Sequence, residues 1–163
     1  MTHWRPAYIG VGSNLGDSRG LVATAMDRVA ALPSVSHFVR APDYRTRPFG
    51  PVAQPDFINS AAGFLTTLGP HELLAALRDI ERELGREPAR ERWGPRAIDL
   101  DLLVLGGERL SDPVVTLPHP GIAQRAFVLL PLADIAPSLE VPGVGIVSGL
   151  LRAVSTEGAE RLP

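Results

Sequence analysis

Apolar positions along this chain fall into short blocks, and the period of each block names an element. Ala7, Tyr8, Ile9 and Val11, interleaved with Gly10 and Gly12, form a near-continuous apolar run of the kind that buried strands show. The run ends at Ser13-Asn14-Leu15-Gly16-Asp17, which combines turn residues with a helix-capping aspartate. Leu21, Val22, Ala25, Met26, Val29 and Leu32 then recur at helical spacing up to Pro33, predicting an amphipathic helix laid on a sheet. Val35 to Tyr44 reads as extended. From Arg45 to Pro55, three prolines and Gly50 deny both ladder donors and helical dihedrals, so this stretch is a stiff loop.

Asp56 to Leu68 resumes a strand. Gly69-Pro70 opens a second helix with Leu73, Leu77, Ile80 and Leu84 as its apolar stripe, and Gly85 stops it. Arg86 to Ala97 is a polar loop with two prolines, followed by a strand over Ile98 to Leu105. Gly106-Gly107 turns the chain, so Leu110 to Leu117 is expected to pair back on that strand as a hairpin. Gln124 to Leu132 and a weak helix over Ile146 to Val154 complete the chain. Strand-helix-strand, repeated, predicts an α+β fold: a ferredoxin-like sandwich, an antiparallel sheet with helices on its faces, the two strongest helices sharing one face.

Composition narrows the chemistry. The chain has 163 residues, read as one domain over 1–163, and a formal net charge of −2. All its cations are arginine, because it contains no lysine, and it contains no cysteine. A phosphate loop of the Walker type, a kinase strand lysine and Schiff-base catalysis each need a lysine and are excluded. A thiolate nucleophile and a cysteine zinc site are excluded as well. A pI near 6.1 argues against a broad nucleic-acid surface. No apolar run reaches the roughly 18 residues of a membrane span, and Met1 to Pro6 is not a secretory leader, so the expected location is cytoplasmic.

Asp99 and Asp101 are the sharpest local signal, since they interrupt an apolar strand to which aspartate is poorly suited. Strand alternation puts both on one face with Cα atoms roughly 6.5 Å apart, so their carboxylates can converge on a hard cation. The bland alternative is a pair of solvated aspartates at a strand's start. Oxygen ligands without nearby Cys or His favour Mg²⁺ over zinc. Arg78, Arg82, Arg86, Arg90, Arg92 and Arg96 crowd the segment before that pair. Arg78 and Arg82 read as helix-surface partners of neighbouring glutamates. Arg86, Arg92 and Arg96 read as a phosphate clamp, because guanidinium forks hold phosphate oxygens bidentately. Gly10-x-Gly12-Ser13-Asn14-x-Gly16 has the wrong spacing for a dinucleotide motif and reads as a tight turn that admits a ligand to the backbone. Phe49, Phe57, Trp93 and Phe127 fit core filling or stacking on a flat heterocycle, with Asn59 on the Phe57 face as a hydrogen-bonding partner. His119, between two prolines, reads as a rigid-turn histidine.

Taken together, Gly12-Ser13-Asn14-Leu15-Gly16, Tyr44-Arg45-Thr46, Gly50-Pro51, Gln54 to Asn59, the string Arg92-Trp93-Gly94-Pro95-Arg96-Ala97-Ile98-Asp99-Leu100-Asp101, and Pro118-His119 resemble 6-hydroxymethyl-7,8-dihydropterin pyrophosphokinases of folate biosynthesis. The resemblance spans about residues 7–137, leaving the tail from 138 to 163 outside it. It implies a monomer that moves pyrophosphate from Mg-ATP to the pterin hydroxymethyl group and releases AMP. It implies two Mg²⁺ on Asp99 and Asp101, with Asp101 accepting the hydroxyl proton. Arg86 and Arg96 would act on the triphosphate as catalytic residues. Glu81, Arg92, Trp93, Thr116, His119 and Arg125 would complete the ATP site. The pterin would stack between Phe57 and Phe127, with Asn59, Thr46, Phe49 and Trp93 around it. The chain departs from relatives at Phe57, where some carry tyrosine, and at Pro88, Ala89 and Val114, where some carry basic residues; Arg90 and Arg92 are candidates to compensate for the first two. The competing readings are a nucleotide-sugar transferase and a non-catalytic ferredoxin-like binding module.

Overall fold

The computed structural model describes residues 3–48, 50–85 and 97–163. Among the described residues, ten strands and four α-helices follow in order: β1 (Arg5–Ser13), α1 (Ser18–Ala30), β2 (Val35–Arg40), β3 (Tyr44–Thr46), β4 (Phe57–Thr66), α2 (Pro70–Glu83), β5 (Asp99–Leu105), β6 (Leu110–Ser111), β7 (Thr116–Leu117), α3 (Ala126–Ile135), β8 (Glu140–Val141), β9 (Gly145–Ile146), α4 (Val147–Arg152) and β10 (Ala159–Arg161). The main sheet runs β10-β3-β4-β1-β5, with β2 also paired to β4, and each recorded pairing is antiparallel. The fold is α+β.

The helices form where the apolar period demanded them. Asp17 caps α1 by accepting a hydrogen bond from the Gly20 N–H, and Val22, Ala25, Met26 and Val29 are its buried face. In α2, Pro70 stands in the first turn, and Gly85 beyond its end takes φ +88°, a left-handed conformation that releases the chain. Both helices pack with Ile9, Val11, Ile58, Phe64, Leu100 and Leu102 in one core. A second core lies on the other face, where α3 and α4 bring Val128, Leu129, Leu132 and Val147 against Ala61, Leu103 and Val104. Burial on both faces explains why β1 and β5 are apolar nearly throughout.

Two expectations are corrected, and the tail gains a place. Leu110 to Leu117 does not pair with β5; β6 and β7 pair with each other instead. The outer edge of β5 is already occupied: Arg78 and Glu81 bond the Leu100 peptide groups, and the His119 N–H bonds the Leu103 carbonyl at 2.9 Å. The extended stretch from Val35 is two strands, broken at Ala41-Pro42-Asp43, where proline lacks a ladder donor. The tail is part of the sheet, because β10 pairs with β3 and Leu162 N–H bonds the Asp43 carbonyl.

Candidate active site

Sheet register brings the candidate residues together. Gly12 in β1 stands opposite Asn59 in β4 on one side and Asp99 in β5 on the other; Gly10 stands between Ala61 and Asp101 in the same way. One row across three strands therefore runs from Asn59 through Gly12 to Asp99, roughly 10 Å from end to end at the normal strand spacing. Glycine at position 12 leaves room for the Asn59 amide. A Cβ on it would lie 2.6 Å from Asn59 Oδ1.

At one end of the row, Asn59 is buried and its Nδ2 donates to Thr46 Oγ1 at 2.7 Å. Thr46 in turn faces Phe57 across the β3–β4 pair, so three of the predicted pterin residues share one corner of the sheet. Phe127 lies in the first turn of α3, with the Arg125 guanidinium carbon 5.8 Å from its ring centroid, within cation–π range.

At the other end, Leu100 and Leu102 point into the α1/α2 core, so alternation turns Asp99 and Asp101 to the opposite face. Burial, then the charge of Asp99, pushes the Asp101 carboxyl up to about 7, with Glu81 adding to the rise and Arg78 and Arg125 opposing it. Burial also pushes His119 below its ordinary pKa of 6.5, helped by Arg125 and Arg78 and resisted by Asp99. His119 Nδ1 accepts the Gly121 N–H at 3.2 Å, so the neutral ring carries its proton on Nε2 as a donor. Thr116 lies in the short β7, close in sequence to His119.

The turn after β1 ties neighbouring segments to this corner. Ser13 Oγ donates to the Ala97 carbonyl, just ahead of β5. Asn14 Nδ2 donates to Gln54 Oε1 at 2.8 Å and to the Pro55 carbonyl at 3.0 Å, at the end of the proline-rich loop. These contacts give the Gly-Ser-Asn segment a role that its spacing alone did not disclose.

Phe49, Arg86, Arg92, Trp93 and Arg96, with Pro88, Ala89 and Arg90, lie outside the described residues. Val114 is exposed. Arg82 forms an ion pair on the helix surface, with Asp79 rather than with one of the glutamates expected. Arg78 does more than that reading assigned: besides its ion pair with Glu81, it reaches the Leu100 carbonyl at 2.8 Å. A signal was present in the sequence, since Glu81 sits four residues after Leu77 on the helix's apolar stripe, where a lone surface carboxylate does not belong.

Residues 8–137 match the family model described as 7,8-dihydro-6-hydroxymethylpterin-pyrophosphokinase (HPPK). The chain belongs to this family. Its relatives include the 2-amino-4-hydroxy-6-hydroxymethyldihydropteridine pyrophosphokinases of Methylorubrum extorquens, 44% identical over 96% of this chain and 98% of the relative, and of Pseudomonas aeruginosa, 44% identical over 96% of each. A triple mutant of Plasmodium falciparum HPPK-DHPS, crystallised with pteroate, superposes with a TM-score of 0.73 at 15% identity over 98% of this chain, which spans 47% of that longer protein. That likeness concerns the fold. Membership of the HPPK family makes the chain a pyrophosphokinase, an enzyme of pyrophosphoryl transfer.

Proposed function

We propose that the chain transfers pyrophosphate from Mg-ATP to the hydroxyl of 6-hydroxymethyl-7,8-dihydropterin, releasing AMP, in folate biosynthesis. The observation that carries this reading is the row Asn59–Gly12–Asp99, in which an amide suited to the edge of a flat heterocycle and one of a pair of carboxylate residues stand about 10 Å apart with a glycine, which carries no side chain, at the position between them. An acceptor lying along that row has its reacting end toward the carboxylates.

The donor set suits Mg²⁺. Among the described residues no cluster of three or more His, Asp or Glu forms a closed cage. Mg²⁺ is usually held by one or two carboxylates, with substrate phosphates and water as its other ligands. Asp99 and Asp101 would hold two such ions, which when bound supply charge neutralisation on the phosphates. In this reading the pterin stacks between Phe57 and Phe127, while Asn59 and Thr46 hold its edge. Phe49 and Trp93 border it. His119 Nε2–H and Arg125 donate to phosphate oxygens, Thr116 and Glu81 border the nucleotide, and Arg86, Arg92 and Arg96 clamp the triphosphate. The acceptor oxygen forms a bond to the β-phosphorus as the bond between that phosphorus and the oxygen bridging it to the α-phosphate breaks. AMP leaves with that oxygen, and the hydroxyl proton passes to a carboxylate oxygen of Asp101. Catalysis is mainly positioning and electrostatics.

A ferredoxin-like reading of the domain is supported by the order β5-β1-β4 with β2 and β3 beside β4, and by α1 and α2 sharing one face. We also read the chain as a cytoplasmic monomer, which sizing by light scattering tests. The decisive assay supplies ATP, Mg²⁺ and the dihydropterin alcohol and follows AMP. The wild-type chain is expected to release AMP, and Asp99→Ala and Asp101→Ala to abolish its release. ADP as product, or full activity in either variant, refutes the mechanism.

A further inference from the structure

The two peptide groups that link Asp99 to Asp101 through Leu100 are gripped from outside the sheet. Among the described residues β5 ends the sheet, so the outward N–H and C=O of Leu100 meet no further strand. Helix α2 supplies both partners. Glu81 Oε2 accepts from the Leu100 N–H at 2.7 Å, and Arg78 Nη1 donates to the Leu100 carbonyl at 2.8 Å. The two side chains are joined to each other by an Arg78 Nη1 to Glu81 Oε1 contact of 2.9 Å. On the inner side, Asp99 and Asp101 are in register with Gly12 and Gly10. Residues 99–101 are thus held along both edges.

Packing needs do not account for this arrangement. Glu81 is only 1% exposed, and a buried carboxylate carries a desolvation cost that a leucine on the same apolar stripe avoids. The pair also meets one particular residue of the strand, Leu100, through the two peptide groups that join it to the carboxylate-bearing residues on either side. Where only two protein carboxylates serve a cation, affinity depends on how closely their separation and pitch are set before the ion arrives, because a mobile pair must be ordered on binding.

We propose that Arg78 and Glu81 are positioning residues for the metal ligands, fixing the β5 backbone at Leu100 so that the carboxylates of Asp99 and Asp101 keep one mutual geometry. The proposal rests on the reading of Asp99 and Asp101 as the Mg²⁺ ligands. Arg78 also places a positive charge near Asp101, so its removal acts on charge as well as on geometry.

Two measurements test it on the nucleotide-free enzyme: Mn²⁺ affinity from water-proton relaxation, and hydrogen exchange of the Leu100 amide by NMR. Arg78→Ala is expected to speed Leu100 exchange and to weaken Mn²⁺ binding by about tenfold or more, the usual size of an outer-shell loss. Arg78→Lys, which keeps a charge and a donor, is expected to recover most of both. Glu81→Gln loses the ion pair and is expected to weaken Mn²⁺ binding too; with Arg78→Lys it carries the test should Arg78→Ala not fold. Faster Leu100 exchange with unchanged Mn²⁺ affinity makes the pair a structural brace and overturns the proposal, as does no change in either measurement. Asp99→Asn and Asp101→Asn separate the layers. If they abolish Mn²⁺ binding while the Arg78 and Glu81 variants leave it intact, only the positioning role falls; if they leave it intact, the metal reading falls and the positioning role with it.

Discussion

Adding one methyl group at Gly12 tests the central row of the site. The Cβ of Gly12→Ala would stand 2.6 Å from Asn59 Oδ1 and 3.7 Å from its Cγ, whereas real Cβ atoms essentially never approach within 3.0 Å. At least the 0.4 Å between 2.6 and 3.0 must be found by moving something. Asn59 cannot yield freely, being 7% exposed and held by its 2.7 Å hydrogen bond to Thr46. If the amide stays, the β1–β4 pair must spread, an overpacking cost of about 1–3 kcal/mol. If the amide swings away, its hydrogen bond is lost, about 1 kcal/mol, and with it the edge partner proposed for the pterin. Either response lowers Tm by roughly 2–10 °C for a chain of this size. Pterin affinity should fall about tenfold, since 1.4 kcal/mol is one decade. The assay is a double-mutant cycle with Asn59→Ala, reading pterin-analogue binding by fluorescence and stability by thermal melts. In the Asn59→Ala background, Gly12→Ala should cost little, because the colliding oxygen is gone. Equal losses of pterin affinity in both backgrounds would falsify the steric argument.

Tyr44→Phe removes a hydroxyl that donates to Asp134 Oδ2 at 2.6 Å and should cost about 1.5–3 kcal/mol, as for hydrogen bonds to charged groups. Burial, then Asp134, pushes this phenol from 10.0 up to about 12, so the folded state holds the proton more tightly than the unfolded chain. The contribution is therefore complete below pH 10 and lost as pH climbs toward 12, and wild-type and Tyr44→Phe stabilities should converge over that window; a constant gap in urea midpoints across it would contradict the assignment. Leu77→Ala, at a fully buried position between α2 and the sheet, should lose about 2–5 kcal/mol in urea unfolding, and a loss below 1 kcal/mol would mean that the α2 core is looser than its burial indicates. Asn14→Ala releases Gln54 and the Pro55 carbonyl and should raise the KM for pterin more than that for ATP; equal rises would count against a local effect on the proline-rich loop.

Several features were legible from residue order alone. The spacing of Val22, Ala25, Met26 and Val29, and of Leu73, Leu77 and Ile80, specifies two amphipathic helices because helical period and burial coincide there. Asp99 and Asp101 stood out because carboxylates in an apolar strand need a reason. The string from Arg92 to Asp101 pointed to the family that the comparisons show. Tertiary structure decided what depends on partners distant in sequence. β10 completes the sheet at β3 because backbone groups on that edge need ladder partners, a demand that nothing in Ala159–Arg161 announces. Gly12 became a spacer only once register set it between Asn59 and Asp99. Arg78 and Glu81 resembled a helix-surface pair until β5 was placed beside them. The hydrophobic period encodes which face of an element is buried, but the hydrogen-bonding edge of a strand carries no side-chain signature, so its partner is settled only by the assembled fold.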